Sequence, residues 1–125
     1  MTKKREIGRI IQTISKLNDQ RTKLIFSLVH GKPMIHGLYQ EVYRKCGKQN
    51  CKCSEGKLHG PYPALSVNKH GEKRTVMIKH ADVFSVKKEA KRYRYFQKTL
   101  ARIRTANREI DMLLALLKEK TIQDY

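Results

Sequence analysis

Four residues able to ligate one metal ion fall within 14 positions of this chain: Cys46, Cys51, Cys53 and His59, spaced Cys-x4-Cys-x-Cys-x5-His. Thiolate sulfur and imidazole nitrogen are the ligands zinc takes in closed, tetrahedral structural sites. The stretch that carries them, Tyr43 to Tyr62, is polar and holds Gly47, Gly56 and Gly60. It has too little apolar surface to fix its own shape, so a zinc ion held by Cys46, Cys51, Cys53 and His59 is expected to fold it. Other readings of the thiols fit less well. Three cysteines cannot pair off, and Cys51 and Cys53 stand too close in sequence for an easy disulfide. No secretory leader pattern precedes them, so a reducing, cytoplasmic setting is expected. Iron–sulfur ligation usually takes four thiolates. Metal-free buried thiols are the bland alternative, and His36, His70 and His80 are reserve ligands. Four close protein ligands leave no open coordination position, which points to a structural ion, not a catalytic one.

The same residues carry a resemblance. Cys46-Gly47-Lys48, Asn50-Cys51, Cys53, Gly56 and His59-Gly60-Pro61-Tyr62 spell CGKxNCxCxxGxxHGPY, with a hairpin and a long basic helix after it. This pattern resembles a family of small prokaryotic proteins known as a domain of unknown function, over roughly residues 36 to 100. The resemblance implies a metal-binding domain, associated with mobile elements, and no assigned reaction.

The elements that must position the cluster follow from periodicity. Ile7, Ile10, Ile14, Leu17, Leu24 and Leu28 recur at helical steps, so residues 1–32 are expected to form an amphipathic N-terminal helix. Arg21 interrupts its apolar stripe, and Asn18-Asp19 beside it predict a break or kink. His30-Gly31-Lys32-Pro33 ends the helix. Residues 33–80 are expected to form a zinc-knuckle and β-hairpin core. A short strand around Leu38, Tyr39 and Val42 leads into Cys46, and strands at Pro63–Val67 and Arg74–Lys79 flank a loop at residues 68–71. From residue 81 to 125 a long basic helix is expected, capped by Asp82 or Ser85. The fold class is therefore α+β: a small zinc-stapled β-meander flanked by an N-terminal helix and a long, coiled-coil-like C-terminal helix.

Tyr93, Phe96, Leu100, Ile103, Asn107, Ile110, Leu114 and Leu117 form a heptad seam on that last helix, with a lone Asn at an a position. The seam can pack on the N-terminal helix of the same chain or on a second copy. A homodimer is favoured, because nearly four heptads exceed what the small core needs.

Charge gives the partner class. The chain holds 28 Lys and Arg against 11 Asp and Glu, a formal charge of +17. Such an excess repels itself and fits a polyanionic partner, with DNA or RNA first and an anionic membrane surface second. No apolar run is long enough to span a membrane. Between Lys87 and Arg108 nine cations meet one acid, Glu89. Lys87, Lys91, Arg94, Lys98 and Arg102 fall on one helical face, with Arg92 and Arg104 nearby, and Arg44, Lys45, Lys48, Lys52 and Lys57 surround the cysteines. Tyr43 and Tyr62 flank the knuckle as candidates for base stacking. No paired acids, phosphate loop or base-activated nucleophile is apparent, so no enzyme is expected. The reading is a non-catalytic, zinc-dependent nucleic-acid-binding protein, an accessory subunit of a larger nucleoprotein or mobile-element complex. The alternative is a coiled-coil adaptor in which the zinc is purely structural.

Overall fold

A computed structural model describes residues 2–45 and 56–125. Helix α1 (Lys3–Leu28) is followed by strands β1 (Leu38–Arg44), β2 (His59–Lys69) and β3 (Glu72–Met77). A single 3-10 turn at His80–Asp82 then leads into helix α2 (Val83–Thr121). The class is α+β, as the periodicities require. The chain forms two compact units, one of residues 1–31 and 96–125, the other of residues 32–95.

In the first unit α1 starts at a side-chain cap. Thr2 keeps an extended backbone and its hydroxyl accepts the Arg5 amide at 3.4 Å, satisfying one of the donors a helix start leaves over. The helix ends at Val29, and Gly31 takes φ 68°, a left-handed value that suits glycine. Asn18 and Asp19 do not break it. The Asn18 carboxamide oxygen instead accepts Arg21 Nη2 at 2.6 Å, and its carbonyl accepts the Thr22 hydroxyl. The polar residue on the apolar stripe thus finds partners without opening the helix.

The far half of α2 packs antiparallel to α1. Arg21 Nη1 donates to Asn107 Oδ1 at 3.0 Å, so the two seam residues of the wrong polarity satisfy each other. Nearer the open end, Lys120 Nζ donates to Glu6 Oε2 at 2.8 Å. That hydrogen bond, and next the lysine charge, hold the Glu6 carboxyl below its usual value. The buried line on α2 is Thr99, Ile103, Ala106 and Ile110, in steps of four, three and four. It lies one position from part of the heptad seam: Thr99 and Ala106 are buried, while Leu114 and Asn107 are exposed. Thr99 and Ala106 are short side chains, readily covered by their neighbours, whereas Asn107 and Leu114 keep part of their length in solvent.

In the second unit the sheet order is β1-β2-β3, antiparallel throughout. β2 and β3 join through His70 and Gly71, with φ 55° and 82°. Positive φ at both positions is what a two-residue type I′ hairpin needs. The strand pairing therefore continues to Lys69–Glu72, further than alternation alone predicts. Gly37 sits where a Cβ would come within 2.9 Å of the Leu65 side chain, so the start of β1 lies against the buried centre of β2. A strap from Pro33 to His36 ties onto the first turns of α2: the Ile35 amide donates to the Glu89 carbonyl at 3.1 Å. Ser85 is not the helix cap, since it lies inside α2 and its hydroxyl donates back to the Asp82 carbonyl at 3.2 Å.

Candidate metal centre and nucleic-acid interface

The strands that flank the cysteine segment end beside one another. Arg44, the last residue of β1, pairs with His59, the first residue of β2, and the register shifts between Val42 and Arg44. Such a bulge bends a strand and re-aims its side chains. The segment therefore leaves the sheet and rejoins it at neighbouring points, with His59, half-buried, at the return. Cys46, Cys51 and Cys53, with Lys48 and Lys52, lie outside the described residues.

Gly60, next to His59, is constrained twice. Its φ of 138° is closed to most L side chains, and a Cβ there would meet the Val42 carbonyl oxygen at 2.8 Å and Tyr43 Cδ1 at 2.9 Å. Tyr43 thus lies over Gly60, its ring still largely exposed, and Tyr62 pairs with Val42. The reserve histidines sit elsewhere. His36 stacks on Tyr93 at 4.8 Å between ring centroids, His70 forms the β2–β3 turn, and His80 opens the 3-10 turn. His59 begins β2 and His70 follows its last residue, about 35 Å away at the usual rise of a strand, so they cannot share an ion. Among the described residues no three of His, Cys, Asp and Glu come together as a metal group.

The cations of α2 divide by environment. Lys87, Lys91, Arg94, Lys98 and Arg102 are all exposed, at the spacing that places them along one side of the helix. None of Lys91, Arg94, Lys98 and Arg102 is ion-paired with a described residue. Arg104 is exposed as well. Arg92 is different: it is half-buried, and its Nη1 donates to the Pro33 carbonyl at 3.2 Å, holding the strap to the helix. Arg44, Lys45 and Lys57 are exposed around the mouth of the cysteine segment.

Sequence reasoning missed Tyr39. In the fold the Lys87 ammonium lies over its ring, 5.1 Å from the centroid. The only available signal was an aromatic residue in the strand before a cation-rich motif, since the pairing with α2 is tertiary.

No helix among the described residues is long and apolar enough to cross a membrane. No curated protein and no solved structure matches the chain. A family model described as Domain of unknown function (DUF6788) matches residues 4–88, taking in α1, the whole sheet and the first turns of α2. That is more than half of the chain, and the protein belongs to this family.

Proposed function

We propose that this is a non-catalytic, zinc-dependent nucleic-acid-binding protein. The observation that carries the reading is the row of exposed cations from Lys87 to Arg102 on one side of α2, which lacks the acidic partners an ordinary solvated helix interleaves. Phosphates supply the missing counter-charge. The arginines add bidentate contacts to that row, and Arg44, Lys45 and Lys57 extend the charge to the sheet.

The zinc half rests on donor chemistry and on the poverty of the core. Three thiols and an imidazole make a closed Cys3His set, and the strand ends at Arg44 and His59 converge where such a set would be clasped. The buried side chains of the second unit, among the described residues, are Ala64, Leu65 and Ala90. So small a core is the setting in which a metal staple contributes most to folding. Cys46, Cys51, Cys53 and His59 would hold the ion, and its role there is structural.

The test is metal analysis together with labelled DNA and RNA oligonucleotides in a salt series. The expected results are zinc near one per chain, affinity that falls steeply with salt, and loss of fold on chelation. A folded, metal-free protein that ignores both polymers at low salt refutes the reading. A second reading, an adaptor or homodimer through α2, is favoured by one observation: Met112, Leu114 and Leu116 are exposed apolar residues beyond the basic stretch. If it holds, alanine at Leu114 and Leu116 removes partner binding or self-association, and neutralising the cations does not.

A further inference from the structure

The first turns of α2 and the start of β1 enclose a cleft of about 250 Å³, bounded by Gly37, Tyr39, Lys87, Ala90, Lys91 and Arg94. Its make-up is uneven in a useful way. The floor is small, since the buried Ala90 carries only a methyl group. Three cations one helical turn apart line one wall, and the other offers a half-buried tyrosine ring. Glu41, two residues along β1, and Glu89, on α2 between Lys88 and Lys91, do not line it. The cleft therefore carries unbalanced positive charge beside an aromatic face.

We infer that this cleft seats a single nucleotide of an unpaired strand, its phosphate between Lys91 and Arg94 and its base on the Tyr39 ring. The inference rests on the nucleic-acid reading and narrows it from any polyanion to single-stranded polymer. The volume lies below the roughly 300–1,000 Å³ of pockets that enclose drug-sized ligands, which suits one nucleotide lying partly in solvent. Stacking on an aromatic ring requires a base freed from its pair. Lys87 already occupies the ring face as a cation–π partner. A base arriving there takes the ring face from the ammonium, which turns toward the phosphate.

The experiment compares a labelled single-stranded oligonucleotide with its own duplex, using the full chain with its metal and the variants Tyr39→Leu, Tyr39→Phe and Lys91→Gln/Arg94→Gln. Tyr39→Leu is expected to weaken single-strand binding by about five- to 150-fold, the usual range for one lost stack, with duplex binding and salt slope unchanged. Tyr39→Phe keeps the ring and binds as the parent does. Lys91→Gln/Arg94→Gln weakens both polymers and lowers the single-strand salt slope by about 1.4. The duplex serves as the folding control, since a misfolded variant loses both ligands. If Tyr39→Leu retains duplex binding and keeps parental single-strand affinity, this inference falls and the general reading stands. If the parent binds neither polymer, both fall. If Tyr39→Leu loses both polymers, Tyr39→Phe decides: the inference survives only if Phe restores the parental preference for the single strand.

Discussion

Replacing Lys91, Arg94, Lys98 and Arg102 together by glutamine should flatten the salt dependence of binding while leaving the helix intact. The row on α2 offers five exposed cations, Lys87 among them. If each meets one phosphate, the slope of log affinity against log salt is about −4.5 for duplex DNA and about −3.5 for a single strand. Raising salt from 50 to 200 mM then costs the parent about 500-fold on duplex and about 130-fold on single strand. The four glutamines remove about 3.6 of that slope on duplex and about 2.8 on single strand, so the row's own share of the same salt change falls to about threefold. Glutamine has nearly the helix propensity of lysine and arginine, so helicity measured by circular dichroism should hold. Anisotropy of a labelled 20-mer across the salt series reads the slope directly. A variant with parental helicity and parental slope would show that the phosphates lie elsewhere, and the stripe would lose its function.

Packing predictions are separable from that one. Ile103→Ala, at 8% exposure, should cost about 2–5 kcal/mol in urea unfolding, and Leu114→Ala, at 48%, less than about 1 kcal/mol; equal losses would contradict the hairpin of α1 and α2. Gly71→Ala meets open space and should cost about 1–2 kcal/mol for its positive φ alone. Gly60→Ala adds the clash with the Val42 carbonyl and the Tyr43 ring, so its thermal midpoint should fall clearly below that of Gly71→Ala. Lys120 depresses the Glu6 carboxyl in the folded chain, so the pair stabilises fully above the ordinary value of 4.5 and loses its effect as pH falls through the lower, folded value. The stability gap between the parent and Glu6→Gln should therefore be steady at neutral pH and close on acidification; a gap that ignores pH assigns Glu6 some other role.

Legibility in the sequence followed locality. The three strands were readable because alternation and the Gly71 turn are local signals, and the end of α1 because Gly31 and Pro33 mark it. What failed was tertiary. Asn18-Asp19 reads as a break only until Arg21 and Asn107 are brought together, when the same polar residues become a layer between two helices. The heptad pattern marks Leu100 and Asn107, whereas Thr99 and Ala106 are the buried positions, because hydrophobicity marks what favours burial and the tertiary fold decides what receives it. Arg92 looks like one more cation of the stripe, yet its guanidinium is committed to Pro33. Tyr39 is marked in sequence only as an aromatic residue in the strand before the cation-rich motif; Lys87 reaches it only through the fold. The Cys46, Cys51, Cys53 and His59 pattern is the reverse case, conspicuous in sequence by spacing, with its cysteines outside the described residues.

The cross-strand meeting of Arg44 and His59 makes the stretch between them a cassette. Because its two ends are already neighbours, lengthening it between the proposed ligands costs little, about 0.6 kcal/mol in closure entropy for each doubling. The sheet would keep its register while the cassette diverged. Any segment joined across this strand pair leaves and returns at fixed points, with a glycine required where Gly60 stands.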